Sequence, residues 1–103
     1  MEIQVEMSAT DAEVFTTKMA ELQDAENCFR KACHSVNLLD QKLDVLTCRY
    51  QRAENQKGFR YNLRLQLATL EGMRASYYEY ACLKGQVIVD LRSLLSDILQ
   101  CYQ

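Results

Sequence analysis

The chain has 103 residues, 49% of them hydrophobic and 25% charged, and a formal net charge of −2. That length sets one domain with a modest core, and that composition excludes wholesale disorder. The faintly acidic balance argues against a dedicated nucleic-acid protein, which carries a strong positive field.

Proline is absent and glycine occurs three times. A proline inside a helix costs about 3 kcal/mol, so its absence from a chain rich in Leu, Ala, Glu, Gln, Lys and Arg predicts an all-α fold. Residues 1–8 alternate apolar Ile3, Val5 and Met7 with polar Glu2, Gln4 and Glu6. The segment reads as a flexible N-terminal arm, with strand pairing to another chain as the alternative. The start is acidic and lacks the apolar stretch of a signal peptide. No run approaches the roughly 20 apolar residues of a membrane span. Five cysteines, an odd number, favour reduced thiols and a cytoplasmic location, with the nucleus as the alternative.

Ser8, followed three residues later by Asp11, is a candidate N-cap, with Thr10 and Glu13 as the rival pair. The first helix is expected over 9–55. One heptad frame runs through it, with a positions Phe15, Leu22, Phe29, Val36, Leu43 and Tyr50. Its d positions are Lys18, Ala25, Ala32, Leu39, Leu46 and Ala53, and Lys18 alone breaks the apolar pattern. A repeat of 3.5 residues keeps such a seam on one side of the helix. Ser35 and Asn37 are cap-type residues, so a break near 34–37 would give a three-helix bundle instead.

Polar Glu54-Asn55-Gln56-Lys57 followed by Gly58 predicts a turn over 55–58, with Gly58 as a left-handed helix cap. The second helix, expected over 59–102, has a positions Leu63, Leu70, Tyr77, Lys84, Leu91 and Ile98. Its d positions are Phe59, Gln66, Met73, Tyr80, Val87, Leu94 and Cys101. Gln66 and Lys84 would be polar seam residues, of the kind that fix register. Gly72 and Gly85 lie off the seam, as soft points or places of close approach. The predicted architecture is a single domain over 9–103, an antiparallel hairpin of two coiled-coil-like helices. Phe15 and Leu22 should then lie near Leu95 and Ile98. The length is similar to that of a spectrin-type repeat, but the tryptophan such repeats carry in their seam is missing, and no family follows.

Apolar residues also occupy the e row of the second helix: Leu67, Ala81, Ile88, Leu95 and Tyr102. A two-helix contact hides a narrower stripe than a, d and e together. Leu67, Ile88, Leu95 and Tyr102, with exposed Tyr78, are therefore the expected partner interface, and Tyr77 and Tyr80 are expected in the core. Completion to a four-helix bundle by a homodimer, or by another protein's helices, would cover that surplus. Charge divides the chain. Acidic residues crowd 1–30, whereas Arg49, Arg52, Lys57, Arg60 and Arg64 form a basic tip at the turn. Opposite ends would attract in an antiparallel dimer, and the tip is also a candidate for anionic membrane or nucleic acid, aided by Tyr50, Phe59 and Tyr61.

No residues are assigned to catalysis, metal or cofactor. His34 and Cys33 are neighbours in sequence and Cys28 lies five residues back, whereas shared ligands on one helix need spacings of three or four. No phosphate loop, zinc spacing or paired-carboxylate pattern occurs. The sequence therefore points to a non-enzymatic protein–protein interaction module, an adaptor or scaffold acting through long amphipathic helices, with no small-molecule substrate.

Overall fold

A computed structural model describes residues 7–102 and shows a helical hairpin. Helix α1 spans Ala9–Arg52 and helix α2 spans Lys57–Gln100, each of 44 residues. Neither contains a break, so α1 runs straight through His34–Asn37 and the three-helix alternative is excluded. Residues 1–6 of the expected arm lie outside the described residues.

The helix ends follow from local hydrogen bonding. Ser8 caps α1: the Asp11 amide donates to its Oγ at 3.2 Å and the Ala12 amide to its carbonyl at 2.9 Å. The reciprocal half of a capping box is not used, because the Asp11 carboxylate accepts instead from the Tyr102 hydroxyl. The turn falls earlier than the sequence suggested. The Ala53 amide donates to the Tyr50 carbonyl at 3.2 Å and the Gln56 amide to the Ala53 carbonyl at 3.1 Å. These tight bonds close the chain over Ala53, which is buried and small enough to let it reverse. The Gln56 carbonyl then accepts from the Arg60 amide at 2.8 Å and opens α2. Gly58 is thus inside α2 with an ordinary negative φ. The expected left-handed cap is replaced by the three polar residues Glu54–Gln56.

The hairpin is organised as two units, one of Met1–Phe29 with Cys82–Gln103 (the terminal unit) and one of Arg30–Ala81 (the turn unit). In the terminal unit Leu22, Ala25, Ile88, Leu91 and Leu95 form the core, and Phe15 packs against it. This is the expected neighbourhood of Phe15, Leu22 and Leu95. In the turn unit the buried residues are Ala32, Val36, Leu39, Ala53, Leu63 and Ala81.

On α1 the buried positions fall on the a and d rows read from the sequence. On α2 they do not. Leu63 and Leu91 are a residues, but Ala81, Ile88 and Leu95 are e residues, and every d residue is exposed. The seam of α2 is a/e, turned toward e from the expected a/d. The cross-helix ion pairs match that rotation: Asp40, at e of α1, takes Arg74 at e of α2 at 2.7 Å, and Glu26, also at e, takes Arg92 at 3.0 Å. The Asp40 hydrogen bond, with its charge, holds the Arg74 guanidinium above the usual arginine pKa.

Candidate interaction surfaces

Each unit has two flanks beside its seam. One flank, on the e side of α1, carries the ion pairs just described. By helical geometry the opposite flank of each unit displays the g and c rows of α1 and the d row of α2.

The d row of α2 is the apolar surface left over. In the turn unit it presents Phe59 (52% exposed), Met73 and Tyr80, interrupted by Gln66, which is therefore not a polar seam residue. In the terminal unit it presents Val87 (41%) and Leu94 (40%), while the adjacent Ile88 and Leu95 are 7% and 6% exposed. Two open cavities follow the same flank of the turn unit. One, of about 460 Å³, is lined by Leu38, Gln41, Lys42, Val45, Leu46 and Arg49 of α1 and by Leu70 of α2. The other, of about 640 Å³, is lined by Gly72, Met73, Ser76, Tyr77 and Tyr80. Tyr77 and Tyr80 are consequently exposed groove residues, not the core pair expected of them. The tyrosines' size is the physical reason: small Ala81, not Tyr80, fits the close approach of α1.

The five residues expected to face a partner are redistributed. Ile88 and Leu95 belong to the core of the terminal unit. Tyr102 is half-buried and bonded to Asp11, and Leu67 is half-buried on the e row. Tyr78 is exposed but sits on the ion-pair flank, with the Arg74 guanidinium 5.3 Å from its ring centre. Sequence reasoning assigned the d row, the true surplus, to the seam. The signal that would have found it is the e-row acids of α1, Glu26 and Asp40, which need basic partners from α2 on one side only.

The basic tip also divides. Lys57, Arg60 and Arg64 join Tyr50 and Tyr61 around a cavity of about 240 Å³. The Arg60 guanidinium stacks on Tyr50 at 4.3 Å, and its buried Nε has no hydrogen-bond partner among the described residues. Arg49 instead lines the apolar groove on the other flank, and Arg52 is exposed at the end of α1.

At Gly85 a methyl group would sit 3.5 Å from the Phe29 ring, so the close approach there is made by a side chain rather than a backbone. Among the described residues no His, Cys, Asp and Glu side chains converge as a metal site requires. All five cysteines are free thiols. No helix is long and apolar enough to cross a membrane. No protein-family model, curated protein or solved structure matches the chain.

Proposed function

We propose that this chain is a non-enzymatic protein–protein interaction module, an adaptor or scaffold that presents the d row of α2 to further helices. The observation that carries the reading is the row itself: Phe59, Met73, Val87 and Leu94 stand exposed at a spacing of seven or fourteen residues on one helix. Burying apolar surface contributes about 25 cal/mol per Å², so a partner that covers this row gains substantially. A second helix pair supplies the matching knobs and holes and would complete a four-helix bundle. The cytoplasm, or the nucleus, suits five free thiols.

Sedimentation velocity tests the reading on the purified chain and on fluorescently labelled chain in cell extract. The wild type should sediment as a species larger than its 12.0 kDa mass. The double variant Val87→Asp with Leu94→Asp should sediment as a monomer with its helicity kept. A wild type that is monomeric in both settings refutes the proposal.

A second reading rests on the turn cavity, where three cations and two tyrosines converge without a carboxylate in the lining. That chemistry suits a phosphate-bearing surface, either anionic lipid or nucleic acid. Binding of this kind should collapse between low and moderate salt, whereas helix association through an apolar row should tolerate it.

A further inference from the structure

The three cations of the tip cavity belong to one face of one helix. Lys57 lies three residues before Arg60, and Arg64 four residues after it, a spacing that stacks them along α2. Tyr50 of α1 and Tyr61 of α2 complete a lining of about 240 Å³ that lies wholly within the turn unit. Like charges at this spacing repel one another. Among the described residues no carboxylate answers them: Lys57, Arg60 and Arg64 form no ion pair, Glu54 is outside the lining, and the first turn of α2 holds no acidic side chain. Arg60 is also held in place. Its guanidinium stacks on Tyr50 at 4.3 Å, while its buried Nε lacks an acceptor among the described residues. Stacking occupies the face of a guanidinium and leaves its edge, which carries the N–H donors, for an anion.

We infer that this cavity is a binding site for a phosphomonoester, the terminal phosphate of a lipid headgroup or of a soluble ester. This rests on the phosphate-surface reading and names the group recognised. A phosphomonoester carries a charge of about −1.5 to −2 at neutral pH and three terminal oxygens. Three cations converging on one small cavity match so concentrated a charge. A nucleic-acid diester carries a single charge and repeats along a strand, so a protein that holds it sets its cations along a groove. Here the cations gather at one point, and Arg49 and Arg52, which would extend a track, are not in the lining. Arg60 offers donors whose plane the stacking already fixes, and Lys57 and Arg64 add charge. The Tyr50 and Tyr61 hydroxyls are further donors available to phosphate oxygens. A bound dianion relieves the mutual repulsion of the three cations, which a single carboxylate relieves only in part.

The unpartnered donor is also the probe, because an arginine Nε–H gives its own peak in a nitrogen-correlated proton NMR spectrum. Arg60→Lys assigns that peak by its loss. Methyl phosphate should move the Arg60 peak and bind about tenfold or more tightly than dimethyl phosphate. Lys57→Gln with Arg64→Gln should weaken that binding by about tenfold or more. Lys31→Gln with Arg52→Gln removes two exposed cations of the same unit outside the cavity, and should change it by less than about twofold. Affinity should collapse between about 10 and 150 mM salt, over which the Debye length falls from about 30 to about 8 Å. Circular dichroism checks that these exposed positions leave the helices intact. Phosphatidylcholine vesicles doped with a monophosphorylated phosphatidylinositol, set against phosphatidylserine vesicles of equal charge, separate the sources. Preference for the former assigns a lipid headgroup, and binding of methyl phosphate without either vesicle assigns a soluble ester; both uphold the site.

Equal affinity for the two phosphates, or equal loss in the two double variants, overturns the inference. A single-stranded oligonucleotide without a terminal phosphate that binds where methyl phosphate does not overturns it too, and leaves the phosphate-surface reading standing. Binding of no probe removes both, with the helix-interaction module untouched.

Discussion

Leu94 and Leu95 are adjacent, identical in chemistry and opposite in environment, which makes Leu→Ala at each a controlled test of the rotated seam. Leu95 is 6% exposed in the core with Leu22, Ala25, Ile88 and Leu91, and Leu94 is 40% exposed on the d row. Burying a leucine fully is worth about 1.5–3 kcal/mol, and the two sites differ by about a third of that area, hence by about 0.5–1 kcal/mol from transfer alone. Removing Leu95 also leaves a gap between two helices that collapses only partly, and this adds to its cost. The expected destabilisation is about 2–3 kcal/mol for Leu95→Ala against about 1 kcal/mol for Leu94→Ala. For a domain near 100 residues, the larger value lowers Tm by more than about 10 °C.

The assay is thermal unfolding followed by circular dichroism at two chain concentrations, below 1 µM and above 100 µM on the order set by weak dimers. At the low concentration the ranking should be as given. At the high concentration the Leu94→Ala penalty should grow, because the wild type then gains stability from a contact the variant lacks. The Leu95→Ala penalty should stay put. Equal penalties at low concentration would place Leu94 in the seam and refute the a/e register on α2. A Leu94 penalty independent of concentration would refute the d row as a contact surface.

Three further outcomes follow from particular contacts. Gly72→Ala should stabilise the isolated hairpin by about 0.5–1 kcal/mol, since a methyl there meets nothing within 4 Å and alanine restricts the unfolded chain; thermal melts at low concentration read it. Ser8→Ala should cost about 1 kcal/mol by leaving the Asp11 amide without its cap, and urea unfolding should show the midpoint fall at unchanged slope. A double-mutant cycle over Glu26→Gln and Arg92→Gln should return a coupling of about 0.5 kcal/mol that vanishes in 1 M salt, as for an exposed ion pair; a salt-independent value would mean the pair is shielded by a partner.

Much of this molecule is written plainly in the chain. The absence of proline and the unbroken a/d frame of α1 lead directly to a long first helix, and polar residues 54–57 to the reversal. Ser8 declares itself as a cap. The rotation of α2 is harder to read because its apolar stripe covers a, d and e at once. A two-helix contact needs only part of that width, and hydrophobicity is silent on which part. The decision falls to steric fit and charge acting across the pair: Ala81 rather than Tyr80 approaches α1, and Asp40 draws Arg74 to its own side. Both are long-range facts, separated by tens of residues in the chain. The turn shows the same limit in miniature. Gly58 looked like the cap because glycine tolerates a left-handed backbone, yet Ala53 and Gln56 close the turn with ordinary φ values and leave glycine to begin a helix.

The thinness of the core ties these observations together. Not one described side chain falls below 2% exposure, and the buried set includes four alanines, which contribute little apolar area each. Two helices can shield each other along one side only, so every core residue stays near solvent at the edges of the seam. Small domains with such cores usually draw stability from a second source, and among the described residues neither a disulfide nor a metal cluster supplies it. On the interaction-module proposal, that second source is association. A partner that covered the exposed row of α2 would link folding and assembly in one equilibrium and supply the missing half of the core. On this view the placement of Tyr80, Val87 and Leu94 outside the seam is not a defect of packing. It would let a bare hairpin draw its remaining stability from a partner.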